Sequence, residues 1–166
     1  MTATANLVYA NFVWRIEAID PTATTVAKDR FFCIDRRAVH GTDPRTSSGL
    51  TRGFVVTWRG AGEQNVVGGS AICDTYSSRM ADHTFELEMF YSAKLKWDDA
   101  QQLILSDRHD IIKALRYPST WVGYDASHPA TAIGLANRWI DSEETEATDD
   151  YLALRQTWRC SIEETE

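Results

Sequence analysis

Four histidines (His40, His83, His109, His128) and three cysteines (Cys33, Cys73, Cys160) are the residues best suited to ligate a metal or to act as nucleophile and base. Their spacing works against both. A metal site needs ligands that meet at one point, and the chain has no HExxH and no histidine pair at i, i+4. Asp107, His109 and Asp110 lie close together, but on a helix their side chains fan apart. Cys73 beside Asp74 has no flanking signature of a nucleophile, and a buried thiol is the simpler reading. GxSxG, GxxxxGK[ST] and GxGxxG are absent, and Gly68-Gly69-Ser70 is too little for a phosphate cradle. Glu86 and Glu88 fall on the polar side of an alternating segment, where solvation accounts for them. The expectation is a chain without catalytic residues, metal or cofactor.

The most biased stretch is SEETEATDD with the aspartate before it: Asp141, Glu143, Glu144, Glu146, Asp149 and Asp150. It reads as an acidic, unstructured hairpin tip at about 141–150, kept soluble by charge. Calcium is conceivable there, but the DxDxDG spacing of a calcium loop is missing. A third reading requires oligomers. If copies form a ring with these residues or acidic strand faces lining the hole, duplex DNA is repelled from the wall and passes without adhering.

The elements that would position such residues follow from periodicity. His83 to Leu95 alternates, with Phe85, Leu87, Met89, Tyr91, Ala93 and Leu95 on one side and Thr84, Glu86, Glu88, Ser92 and Lys94 on the other, which predicts a half-buried strand. The period then changes. Ala100, Leu103, Ile104, Ile111, Ile112 and Leu115 recur at helical spacing from about Asp98 to Arg116. Asp98 and Asp99 suit the positive helix start, Lys113 and Arg116 its end, and Pro118 stops it. Two further strands follow, AIGLANRWID and DYLALRQTWRCSIE, the second alternating almost as cleanly as the strand at 83.

Upstream, residues 7–19 (LVYANFVWRIEAI) fit a strand through Val8, Ala10, Phe12, Trp14, Ile16 and Ala18. A helical stripe through Val8, Phe12, Ile16 and Ile19 competes, and aromatic and β-branched content favours the strand. RFFCID is apolar on both sides and reads as a central strand covered twice. RGFVVTWRG is a third strand with Phe54, Val56 and Trp58 toward the core, ended by Gly60 and Gly62. Short strands around Val66–Val67 and Ala71–Cys73, joined at Gly68-Gly69, are a possible hairpin. Residues 36–52 have loop composition with four arginines. Loops of that length are uncommon in compact domains. This one reads as a mobile surface loop or as an arm that orders on a neighbouring subunit.

At 166 residues and ordinary apolar content, one α+β domain spanning 1–166 is expected: a mainly antiparallel sheet with one long amphipathic helix packed on one face. The formal charge of −7 argues against a general nucleic-acid binder. No apolar run approaches the roughly 18 residues of a membrane span. MTATAN has neither the basic start nor the apolar segment of a targeting sequence, so the thiols are expected to be reduced in a cytosolic product. Six tryptophans are many for this length. Trp97, Trp121 and Trp139 fall at element ends or in loops, where tryptophan often anchors a protein interface.

The order of parts, the size and the acidic balance over roughly residues 54–163 resemble the tail terminator proteins of long-tailed bacteriophages. The nearest shared pattern is DIIKALRYPSTW (Asp110 to Trp121), a helix end followed by proline and an aromatic. The resemblance implies a virion protein, assembled in the host cytoplasm, that forms a homo-oligomeric ring, a hexamer in that family. Such a ring caps the tail tube protein and joins the tail to the head connector or stopper protein, with DNA passing through without sequence-specific binding and no membrane involved. It implies no catalytic residue. One departure is that members of the family open with an amphipathic helix, whereas residues 7–19 read as a strand. A strand there points to another neck or tail-completion component, or to a divergent tail-tube-like module.

On this reading Arg36, Arg37, Arg45 and Arg52, with Trp97 and Trp121, make intersubunit contacts, and Glu143, Glu144, Glu146, Asp149 and Asp150 face the lumen or the next ring. The rival expectation is a non-viral small-molecule-binding or enzymatic domain. Its pocket would lie between sheet and helix, lined by Trp14, Phe54, Trp58, Phe85, Met89 and Trp158.

Overall fold

In the computed structural model the described residues are 5–25, 27, 29–34, 51–63, 78–116 and 135–165. They form α1 (Ala5–Glu17), β1 (Phe32–Cys33), β2 (Gly53–Glu63), β3 (Ser78–Ser92), α2 (Trp97–Arg116), β4 (Leu135–Ala147) and β5 (Tyr151–Thr165). The strands make one sheet in the order β1-β2-β3-β5-β4. All neighbours are antiparallel except β1 and β2. The expected α+β class stands, with two helices where one was expected.

The centre of the sheet is the β3–β5 ladder, which runs from Ser78↔Thr165 to Ser92↔Tyr151 without a register shift. Each strand is 15 residues long, about 50 Å at the usual rise. Alternation sends Phe85, Leu87, Met89 and Tyr91 of β3, and Leu154, Trp158 and Cys160 of β5, into one buried layer. Phe54 and Val56 of β2 join them. Helix α2 lies on that face as its period requires, burying Ala100, Leu103, Ile104, Ile111 and Leu115. It ends at Arg116, two residues before Pro118.

Residues 7–19 are not a strand. α1 covers most of them, and Val8, Phe12, Val13 and Ile16 bury one helical face against the same layer. Packing settles the two competing periods. The Phe12 ring stacks on Phe85 at 5.2 Å and meets Trp158 edge-on at 6.0 Å. The polar residues on the flanks of this face are buried with partners. Arg138 of β4 donates to the Asn11 side chain and lies over the Phe12 ring, and Arg15 Nη1 donates to the Ala114 carbonyl of α2 at 3.0 Å.

Three other expectations change. β1 is a two-residue edge strand, not a central one. Both its sides are apolar because Phe31 and Cys33 reach the main core, while Phe32 joins Ile34, Phe90 and Ala153 in a small cluster on the opposite face. β1 lies close to β2 at Gly53, where a Cβ would sit 3.1 Å from the Ile34 and Phe32 side chains. Trp58 is 51% exposed although it shares the side of Phe54 and Val56. Beyond it a bulge between Trp58 and Gly60, with Gly60 at φ 135°, carries the strand on to Glu63 instead of ending it. The acidic stretch is not an unstructured tip either: β4 extends to Ala147, and only Thr148-Asp149-Asp150 turns the chain. Thr148 closes that turn, its N–H donating to the Tyr151 carbonyl at 2.9 Å and its hydroxyl accepting from the Tyr151 N–H at 3.1 Å. The segments around Val66–Val67 and Ala71–Cys73 lie outside the described residues, as do 36–50 of the expected loop.

Removing the buried Phe85 ring should be costly. Phe85→Ala is expected to lower the urea-unfolding free energy by about 3–5 kcal/mol. Leu105→Ala, at a side chain 63% exposed on α2, should change it by less than about 0.5 kcal/mol.

Candidate functional site

A group with no exposed surface is the most constrained polar feature. Arg52 has φ 63°, the only positive φ at a non-glycine among the described residues, and its side chain is fully buried. Its guanidinium satisfies all five N–H groups. Nε and Nη2 grip the two Asp107 oxygens at 2.9 and 2.8 Å, Nη1 donates to the Ala27 and Asp29 carbonyls, and Nη2 donates to the Ala23 carbonyl. The same group lies over the Phe31 ring at 5.4 Å. One side chain therefore ties the α1–β1 connection, the entry to β2 and helix α2 together. The Tyr91 hydroxyl is buried nearby with no hydrogen bond of ordinary geometry among the described residues. Burial first, and then the Asp107 charge, pushes its pKa well above the usual tyrosine value. Burial likewise raises the Asp107 carboxyl, against the opposing pull of Arg52. This cluster is a structural staple, and Arg52 is not the surface contact expected of it.

His83 and Cys160 are partners across the β3–β5 ladder, an arrangement that could in principle activate a thiol. The local chemistry opposes it. Burial pushes the Cys160 thiol up to about 12, with the Arg138 charge only partly opposing. A thiol that stays protonated at neutral pH is a poor nucleophile. His83 is itself buried and accepts a hydrogen bond at Nδ1 from Trp58 Nε1 at 3.3 Å. Cys33 is buried as well. Among the described residues no group of three or more His, Cys, Asp or Glu side chains is placed to hold a metal. His109 is exposed and Asp110 turns away from it to accept from the Thr22 N–H and hydroxyl at 2.8 Å each, so the triplet around 107–110 does not converge.

The residues of the expected sheet–helix pocket are mostly core. Phe54, Phe85, Met89 and Trp158 are fully buried and fill that space. An open groove of about 300 Å³ lies elsewhere, between the end of α1 and the second half of α2, lined by Trp14, Arg15, Ile19, Asp20, Asp110 and Lys113 among others.

The feature with the reach to meet a large partner is the sheet itself. Both helices cover one face. The opposite face carries a charge ladder: Arg59 meets Glu86 at 2.7 Å, Arg155 meets Glu88 at 2.6 Å and Glu146 at 2.7 Å, Arg159 meets Asp141 at 3.0 Å, and Ser161 donates to Asp82. Glu144 stands 3.7 Å from Arg155 and is largely exposed. Six carboxylates (Asp82, Glu86, Glu88, Asp141, Glu144, Glu146) and three guanidinium groups (Arg59, Arg155, Arg159) make these contacts, an excess of three negative charges among them. Exposed pairs of this kind add little stability. They keep this part of the face polar and match opposite charges across neighbouring strands.

The expected contact and tip residues are thus separated. Glu144 and Glu146 lie on this open face. Glu143 points to the helix side, where Arg108 and Gln156 donate to it. Asp149 and Asp150 are exposed at the hairpin turn. Trp97 is 60% exposed at the start of α2. Arg36, Arg37, Arg45 and Trp121 lie outside the described residues. Sequence reasoning missed the Arg52–Asp107 pair, whose members are 55 positions apart and carry no joint signal. No helix among the described residues is long and apolar enough to cross a membrane. No protein-family model matches the chain, and no curated protein matches it.

Two measurements check this assignment of roles. Asp107→Ala leaves the Arg52 charge buried without its carboxylate and should cost about 3–5 kcal/mol, more than the paired Arg52→Met/Asp107→Leu change. pH adds a sign. A carboxyl raised by folding takes up a proton as the chain folds, so its contribution is greatest at low pH and is lost as pH rises through the raised value. The destabilisation by Asp107→Asn should therefore grow as pH is lowered from about 7 to about 4. Separately, iodoacetamide at about pH 8 followed by peptide mapping should leave Cys33 and Cys160 unlabelled in the native protein and label both in urea.

Proposed function

We propose that the protein is a structural subunit of a tailed-phage virion, forming a ring at the head–tail junction as a tail terminator or related neck component. The observation that carries this reading is the one-sided sheet: two helices on one face, a net-negative charged face on the other, and no converging reactive group among the described residues. α1 also supports it, because a leading helix is what the resemblance implies and it removes the one departure seen in the sequence. In such a ring the face bearing Glu144 and Glu146 borders the lumen, where its negative charge lets DNA pass without sticking. The hairpin turn at Asp149 and Asp150 meets the next ring, and Trp97 anchors a neighbouring subunit. Arg36, Arg37 and Arg45 serve the neighbour's carboxylates. The partners are other copies of the chain, a tail tube protein and a head connector or stopper protein. No substrate is turned over.

The groove between α1 and α2 favours a second reading, a small-molecule-binding domain, since an indole, apolar walls and a few charged groups are the usual makings of a ligand site.

Sedimentation velocity and negative-stain imaging of the purified protein, alone and with tail tubes, separate the two. Closed rings, six-membered by the resemblance, or rings that form only on tube ends are the expected result. A monomer at every concentration that leaves tubes bare and binds a hydrophobic probe one-to-one contradicts it.

A further inference from the structure

The two ends of the sheet are not equivalent, and their difference sets how copies can join. β1 covers only Gly53 and Phe54 of β2, so from Val55 to Glu63 that strand has no neighbouring strand on its outer side among the described residues. At the other end β4 pairs with β5 alone among the described residues. Unpaired edges are templates for another chain. We infer that copies join head to tail, the free edge of β4 in one pairing antiparallel with the free part of β2 in the next. This rests on the ring reading above and specifies its junction.

Strand direction permits it. Three antiparallel steps separate β2 from β4, through β3 and β5, so the two edge strands run in opposite directions. A rotation about an axis along the strands brings β4 beside the next β2 in antiparallel register without inverting the subunit. Such an interface is heterologous and closes into a ring when the rotation closes.

Charge selects it over the two-fold alternative. β4 carries Asp141, Glu143, Glu144 and Glu146, with Arg138 its only base. β2 from Val55 to Gly62 carries Arg59 and no carboxylate. Joining β4 to a second β4 sets carboxylates across from carboxylates, which is unfavourable, whereas β2 offers a base and neutral residues. Trp58, half-exposed on β2, gains cover from the partly buried Ile140 on the same side of β4. Bulges between Leu135 and Asn137 and between Ile140 and Ser142 break the rest of the β4 edge, and the one between Trp58 and Gly60 breaks β2. The regular stretches left to pair are Ser142–Ala147 and Val55–Trp58, and the bulges keep other strands off.

Edge-blocking tests it in the full-length protein. Thr145→Pro and Glu144→Pro block β4, and Thr57→Pro and Trp58→Pro block β2. Adjacent positions are used because their N–H groups point to opposite sides, so one of each pair spares the internal ladder. Circular dichroism checks the sheet, and Thr145→Lys and Thr57→Lys replace any variant that fails to fold. Each blocked variant alone should sediment as a monomer, and an equimolar mixture of a β2-blocked with a β4-blocked variant should give a species of twice the monomer mass and nothing larger. A blocked variant that dimerises alone, or full-size rings from either, overturns the edge pairing and leaves the ring reading standing. A wild-type chain that neither self-associates nor binds tube ends takes both down.

Discussion

The β3–β5 ladder is the constraint from which the rest of the molecule follows. Two strands of 15 residues paired without a slip fix which side of every residue is dry. Most of the dry residues fall on one face, and both helices go there; Phe90 and Ala153 are buried in the small cluster on the other. Phe12 of α1 against Phe85 and Trp158, and the apolar stripe of α2 in one core with Leu87 and Met89, are consequences of that alternation. The Arg52–Asp107 pair then locks the chain entering the sheet to the helix above it. A buried pair of this kind is weak support for net stability, since both charges have left water. What it does join is visible in its contacts: Ala23, Ala27 and Asp29 of the α1–β1 connection and Asp107 of α2.

The opposite face has a different logic. Carboxylates and arginines alternate from strand to strand across β2, β3, β5 and β4, so opposite charges face one another over most of it. Among the described residues the sheet is covered by helices on one side and mostly charged on the other, and no strand lies beyond β4 or beyond Val55–Glu63 of β2. The groove beside α1 points the other way, toward a small ligand.

How much of this was legible in the sequence depended on whether the deciding contact was local. α2 was readable because its period, the acidic start at Asp98 and Asp99 and the basic end at Lys113 and Arg116 agree. β3 and β5 were readable because one wet face makes alternation visible. α1 was not, since Val8, Phe12 and Ile16 satisfy both periods and only packing on Phe85 and Trp158 decides. The acidic stretch looked unstructured because its neutralising partners lie outside it, Arg155 and Arg159 on the returning strand and Arg108 on α2, and they meet it only once β4 and β5 pair. Trp58 was placed in the core by alternation, which fixes the side of a sheet but not how far the covering layer extends. Of the candidate contact residues, Arg52 carried no mark of burial, because its carboxylate partner comes from another element.

We propose that this molecule acts through the edges and open face of its sheet, not through an internal cavity. Amide hydrogen exchange compared between concentrated and dilute protein tests it most directly. New protection confined to β4 and the free part of β2 on assembly, with β3 and β5 unchanged, is the expected result. Exchange that does not depend on concentration, with protection arising instead around Trp14 and Lys113 when a small molecule is added, would contradict it.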